Sequence, residues 1–272
     1  MSLKSLIDRS PLLGRALRDW RDARAIRQLR FLPAADLGFS MWGGNWLASG
    51  YHEEGEVGIV AEWLDQAELL VDIGANAGLF SLLAASMGRP AIAFEPVAAN
   101  LAILLRNIEA NGFEDAIEVL PIALSDAVGI APFYGRGQGA SLVAGWAGQP
   151  AFDRVSVPTN TLDRLLGARL KGRRAVIKVD VEGAELAVLR GAVGVLADRP
   201  PLLLENSLTR NHPGGHNPDF AAIFHLLWGM GYTAVVATPE RPTVTTTVLA
   251  DWLAAGRTDH GTENYLFLPG AM

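Results

Sequence analysis

Val71-Asp72-Ile73-Gly74-Ala75-Asn76-Ala77-Gly78 is the stretch that decides the fold. It continues the apolar run Leu69-Leu70-Val71-Asp72 and leads into a stretch of helical character that reaches Met87. A strand that ends in a glycine turn and opens a helix gathers backbone N–H groups and a helix N-terminus at one point, which suits a nucleotide-like ligand. Glycine matters in such a turn because a Cβ blocks close approach or forbids positive φ. A dinucleotide fingerprint requires glycine at its first, third and sixth positions. Gly74, Asn76 and Leu79 stand there, so the spacing disfavours a nicotinamide dinucleotide. Gly74 and Gly78, four apart, suit a looser turn around a ligand without a pyrophosphate.

Downstream, strands and helices alternate. Residues 91–95 read as the next strand, 97–110 as a helix stopped by Asn111-Gly112, and 117–120 as a third strand. Between 130 and 157 the helical period is lost in a glycine-rich stretch flanked by β segments. A buried-type strand at 176–179, a helix at 184–191, a strand at 202–205 and a helix at 220–230 closed by Gly231 follow. Two late strands, 233–237 and 264–268, have no clear long helix between them. Upstream, 57–66 reads as a helix and 31–58 as irregular structure or short strands leading to it. Residues 12–30 carry both charge signs on a helical period, as a solvated face, a docking helix or an Arg-rich arm that touches an anionic surface. Alternation with continuous apolar strands predicts an α/β fold, a parallel sheet covered on both faces. No linker divides the chain, so residues 57–272 are expected to form one domain behind a helical or irregular extension, residues 1–56.

Composition narrows the chemistry. The chain has 272 residues, 50% hydrophobic and 19% charged, enough apolar material for a sizeable core and too much for disorder. Its apolar runs fall well short of the roughly 18 residues of a membrane span. A net charge of −6 gives no electrostatic case for nucleic acid. With no cysteine there is no disulfide, thiolate nucleophile or Cys-ligated metal. No signal peptide is read at the N-terminus, where Lys4, Asp8 and Arg9 interrupt the apolar residues, so a cytoplasmic location is expected.

Glu95 ends the strand after the glycine turn, some twenty residues on, where a carboxylate can accept both hydroxyls of a ribose. Farther along, Asp180 and Glu182 follow the strand at 176–179, at the strand end where ligands bind in open α/β sheets. Either could take a proton from an acceptor hydroxyl or position it. The plainer alternative is that Glu182 and Glu185 favour a helix N-terminus by charge and Gly183 permits the turn.

Asp72-Ile73-Gly74-Ala75-Asn76-Ala77-Gly78-Leu79-Phe80-Ser81, Phe94-Glu95-Pro96, Thr161-Leu162-Asp163 and Ile177-Lys178-Val179-Asp180-Val181-Glu182-Gly183-Ala184-Glu185 together resemble the FkbM family of S-adenosylmethionine-dependent methyltransferases. The resemblance covers roughly residues 67–268, and the family pattern carries Asn at the position of Asn76. It implies a Rossmann-like class I methyltransferase fold, a seven-stranded, mostly parallel sheet with helices on both faces and an antiparallel last strand. It implies that Asp72, Gly74, Asn76, Gly78 and Glu95 bind S-adenosylmethionine, with Ser125 and Asp126 near the adenine. It implies methylation, most simply of a hydroxyl on a sugar, glycan or secondary metabolite such as a polyketide. A small-molecule or glycan acceptor is therefore the expected partner.

Three further features bear on the chemistry. His212, in the loop Asn211-His212-Pro213-Gly214-Gly215-His216-Asn217-Pro218, is an alternative base. Asp180, Glu205 and Asn206 at neighbouring strand ends resemble the Mg²⁺ arrangement of catechol-type O-methyltransferases, although a metal is not expected. Trp42, Trp46 and Trp146 lie in non-helical segments, where they stack on a flat acceptor or pack in the core. A Rossmann oxidoreductase using NAD and a non-catalytic cofactor-binding scaffold are the competing functions.

Overall fold

The computed structural model describes residues 20, 24, 27–34, 37–43, 54–135, 139–149 and 154–270. Most of the helix expected over 12–30, and Trp46, lie outside the described residues.

The chain opens with a hairpin, β1 (Arg30–Pro33) antiparallel to β2 (Ser40–Gly43). Helix α1 (Glu54–Leu64) precedes β3 (Leu69–Ile73), so the junction expected between residues 56 and 57 falls within its first turn. Then come α2 (Leu79–Ser86), β4 (Ala91–Phe94), α3 (Ala98–Asn111) and β5 (Ile117–Leu120). Strands β6 (Ala123–Leu124), β7 (Gly129–Tyr134) and β8 (Arg154–Asn160) form a separate three-stranded sheet. The main sheet resumes through α4 (Leu162–Leu170), β9 (Ala175–Val179), α5 (Glu185–Arg190), α6 (Val193–Leu196) and β10 (Leu202–Glu205). It closes with α7 (Phe220–Gly229), β11 (Tyr232–Val236), β12 (Thr243–Val244), α8 (Thr246–Ala255) and β13 (Asn264–Pro269).

The main sheet runs β12-β11-β13-β10-β9-β3-β4-β5. It has eight strands among the described residues, one more than the seven expected, because two-residue β12 pairs with the free edge of β11. Strands β3, β4, β5, β9 and β10 are mutually parallel, and β13 lies antiparallel between β10 and β11. Two helices not expected from the periodicity, α4 and α8, are each capped by a threonine. The Thr161 and Thr245 hydroxyls accept the N–H groups of Arg164 and Val248.

Period-two alternation divides the buried strands between two cores. Leu69, Val71, Ile73, Ile177, Val179, Leu202 and Leu204 face one layer with Leu166, Leu189, Phe224 and Trp252. Leu70, Val176 and Leu203 face the other, with Val60, Phe80, Leu104 and the hairpin's Met41. From β3 the chain first winds outward to β4 and β5, then returns to place β9 on the other side of β3. That reversal creates a crevice at the carboxyl ends of β3 and β9, where open α/β sheets hold ligands. Among the described residues no helix is long and apolar enough to cross a membrane.

Candidate active site

Gly74 follows β3 and Asp180 follows β9, and their backbones touch. A Cβ on Gly74, which has φ 82°, would lie 1.8 Å from the Asp180 carbonyl oxygen. Only glycine allows the two strand ends to close this way. Beside them opens a cleft of about 560 Å³, counting the open solvent at its mouth. Gly74, Asn76, Glu95, Asn100, Asp180 and Glu182 form its polar lining, and Ile122, Leu124, Phe133 and Leu142 contribute to the apolar side.

The Glu95 carboxylate spans the cleft's first wall. Oε2 accepts the Asn76 N–H at 2.9 Å and Oε1 accepts the Val97 N–H at 2.7 Å. Burial pushes its pKa up to about 7 against these donors and the Asn100 side chain. With these three donors, one acceptor site of the four is left for another. Asn76 takes φ 51°, a left-handed conformation that presents its N–H to Glu95.

Four residues expected to bind the cofactor fall elsewhere. Asp72 is fully buried, and its Oδ2 accepts the Ser81 N–H at 3.1 Å and the Ser81 hydroxyl at 2.7 Å. It alternates with Leu70, so its side chain turns toward α2 and caps that helix rather than lining the cleft. Burial, opposed by Lys178, raises its pKa. Gly78 starts α2 against Leu104 and does not line the cleft either. Ser125 and Asp126 lie beyond it because the chain has already left the main sheet through β6. The Ser125 N–H pairs with the Asn160 carbonyl, and the Ser125 carbonyl packs on Gly191. Ile122, Ala123 and Leu124 line the cleft in their place.

The second wall is acidic. Burial pushes the Asp180 carboxyl up, but Lys178, a hydrogen bond from Glu205 and the charge of Arg210 outweigh it and hold the group below its ordinary range. Lys178 Nζ lies 3.0 Å from Asp180 Oδ2 and 5.2 Å from the centre of the Phe80 ring. Burial and then the Asp180 charge push the Glu205 carboxyl well above its ordinary range, and a hydrogen bond joins it to Asp180. Arg210 reaches Glu205 Oε1 at 2.9 Å and also pairs with Glu263.

Glu182 lines the cleft with Asp180, at φ 57°. Burial, then the Asp180 charge, raises its pKa to about 7. Oε2 accepts the Trp146 indole N–H at 2.6 Å, and its carbonyl accepts the Ser141 hydroxyl at 2.5 Å. Trp146 lies directly on Gly183, where a Cβ would come within 2.4 Å of the indole. Thus Trp146 is a buried donor to Glu182 rather than an exposed stacking surface. Glu185 holds the same loop, its Oε1 accepting the Val181 and Gly183 N–H groups, and burial raises it to about 7.

His212 packs edge-on against Trp146 at 4.5 Å, and its Nε2 is buried without a hydrogen-bond partner among the described residues. Burial lowers its pKa, and it is not part of the cleft lining. Asn206, a metal candidate from its strand-end position, is engaged by protein contacts. Its amide donates to the Phe220 carbonyl at 3.1 Å and accepts from Asn217 at 3.1 Å, tying the loop after β10 to α7. Among the described residues no group of three or more His, Cys, Asp or Glu side chains is arranged to hold a metal ion. Arg210 and Ser141 carried no spacing signal in the sequence; both reach the site through loops.

No curated protein sequence matches the chain. Among solved structures, a methyltransferase FkbM from Methylobacillus flagellatus is similar over 74% of this chain, at 19% identity and a TM-score of 0.45; the chain spans 43% of that protein's length. An O-methyltransferase from Bacillus cereus in complex with SAH is similar at 12% identity, over 79% of each chain, with a TM-score of 0.42. A precorrin-6Y C5,15-methyltransferase from Geobacter metallireducens is similar at 12% identity, over 79% of this chain and 87% of that one, also with a TM-score of 0.42. The family model for the Methyltransferase FkbM domain matches residues 72–234, more than half of the chain, which therefore belongs to the FkbM family of methyltransferases.

Proposed function

We propose that this methyltransferase transfers the methyl group of S-adenosylmethionine to a hydroxyl of a sugar, a glycan or a secondary metabolite. The observation that carries the reading is a cleft with Glu95 on one wall and, on the other, two carboxylates of opposite proton affinity, Asp180 and Glu182. The lining fits the donor chemically. Glu95 has an acceptor site left for a ribose hydroxyl, the apolar side offers a surface to a flat base, and the carboxylates suit a cationic ligand.

Bound there, S-adenosylmethionine supplies a methyl group already activated by its sulfonium. What remains for the chain is alignment, exclusion of water and handling of the acceptor's proton. Glu182, with a pKa of about 7, is the group that takes that proton at neutral pH. Asp180 is the weaker base because Lys178 and Glu205 hold it ionised; its part is to orient the acceptor and face positive charge.

Calorimetric titration with S-adenosylmethionine, S-adenosylhomocysteine and NAD tests the cofactor. Micromolar binding of both adenosyl ligands, weakened at least about tenfold by Glu95→Ala, is expected. Binding of NAD alone would overturn the proposal. A hydroxyl-acceptor screen then tests the second wall: Glu182→Gln abolishes turnover while keeping the affinity for S-adenosylhomocysteine.

A further inference from the structure

Two asparagines one helical turn apart on α3 face the N-terminal hairpin. Asn111 Oδ1 accepts the Ser40 N–H at 3.0 Å, and its Nδ2 donates to the Ser40 carbonyl at 2.6 Å. Asn107 Oδ1 accepts the Trp42 N–H at 2.5 Å, and its Nδ2 donates to the Trp42 carbonyl at 3.3 Å. Alternate residues of a strand offer both groups to one neighbour. Two strand residues advance about 6.8 Å and four helical residues about 6.0 Å, so the spacings match. The side-chain amides thus stand in for a third strand along β2. A two-stranded hairpin is marginal alone, and this edge, the buried Met41 and Arg106 stacked on Trp42 at 3.4 Å hold it to the domain.

Asn107 does one thing more. Its Nδ2 also donates to the Ala77 carbonyl at 2.8 Å, inside the Gly74–Gly78 turn. The side chain is fully buried, so it cannot exchange these partners for water.

We propose that Asn107 is a positioning residue for the cofactor, fixing the turn to the hairpin so that cofactor occupancy and hairpin order stabilise each other. It rests on the S-adenosyl reading of the cleft. Coupling of this kind is reciprocal, so it shows from either side.

The test uses the full chain, with S-adenosylhomocysteine as probe and calorimetry on the same samples. Saturating probe is expected to slow amide hydrogen exchange across residues 37–43 several-fold. Asn107→Ala should lose that response and bind the probe about tenfold more weakly. Asn111→Ala, which loosens the same edge without touching the turn, should exchange faster at rest yet keep the response. Unchanged hairpin exchange in the wild-type chain at saturation overturns the coupling, even if Asn107→Ala does not fold. A persistent response in Asn107→Ala also overturns it. If the wild-type chain does not bind the probe, the functional reading fails and takes this one with it.

Discussion

The proposed contact of Glu95 with the cofactor makes binding sensitive to pH in a calculable way. Its carboxyl is nearly inaccessible to water, and burial raises its pKa to about 7 without ligand. Hydroxyl donors from a ribose favour the ionised form, so binding should release a proton and weaken in acid. If the protonated form does not bind, affinity follows the ionised fraction, about nine-tenths near pH 8 and about one-tenth near pH 6. The Kd for S-adenosylhomocysteine should therefore rise about tenfold over that interval, about 1.4 kcal/mol. Calorimetry in buffers of different ionisation enthalpy reads the Kd and the proton release together. Glu182 titrates in the same range and lines the same cleft, so Glu182→Gln serves as the control and should keep the slope. Glu95→Gln should bind more weakly at every pH with a flat profile. A flat wild-type profile, or an equal slope in Glu95→Gln, refutes the assignment of Glu95 to the ribose.

Three other perturbations follow from the same geometry. Gly74→Ala drives a Cβ into the Asp180 carbonyl, and a loss of about 3 kcal/mol, roughly 6–12 °C in Tm, is expected in thermal unfolding. Glu185 is raised to about 7 in the fold, so it favours the folded state below its unfolded pKa, and that contribution is lost as pH rises through about 7. Its share is on the order of 3 kcal/mol, and Glu185→Gln should flatten the fall of Tm between about pH 5 and pH 8. Trp146→Phe keeps the ring on Gly183 and deletes only the N–H to Glu182. With an acceptor in hand, the acid limb of kcat should move up by about one pH unit, whereas a purely structural loss would lower kcat equally at all pH.

The sequence exposed those parts of the site that depend on local pattern. The β3 turn, Glu95 at the next strand end and the Asp180–Glu185 block all lie next to continuous apolar strands, and the crevice forms where those strands end. Asp72 borders the glycine turn in sequence, but alternation with Leu70 turns it toward α2 and away from the cleft lining. Helices α4 and α8 are short and mixed in polarity, so hydrophobic period is weak there, and the threonine caps were the only clear marks. Other properties have no local signature. The insertion of β13 between β10 and β11, the reach of Arg210 to Glu205 and the seat of Trp146 on Gly183 arise only when distant segments meet.

Proton affinity is the most tertiary of these properties, and it separates Asp180 from Glu182, two residues apart. A strand end directs Asp180 to Lys178 and to Glu205, which hold its carboxyl below the ordinary range. Continuing as a strand would send Glu182 along the same face, into the same cation. At φ 57° the backbone turns away instead, and among the described residues Glu182 meets an indole N–H and no cation at hydrogen-bond distance. Left-handed backbone in a non-glycine residue costs on the order of 1–3 kcal/mol. Of the six such residues among those described, Asn76, Ala147, Glu182 and Asn211 gather here, with the Ala147 N–H donating to the Asn211 carbonyl at 2.7 Å. The strain thus falls where it separates a carboxyl held below its ordinary range from one raised to about 7, the pair on which the proposed methylation of a hydroxyl rests.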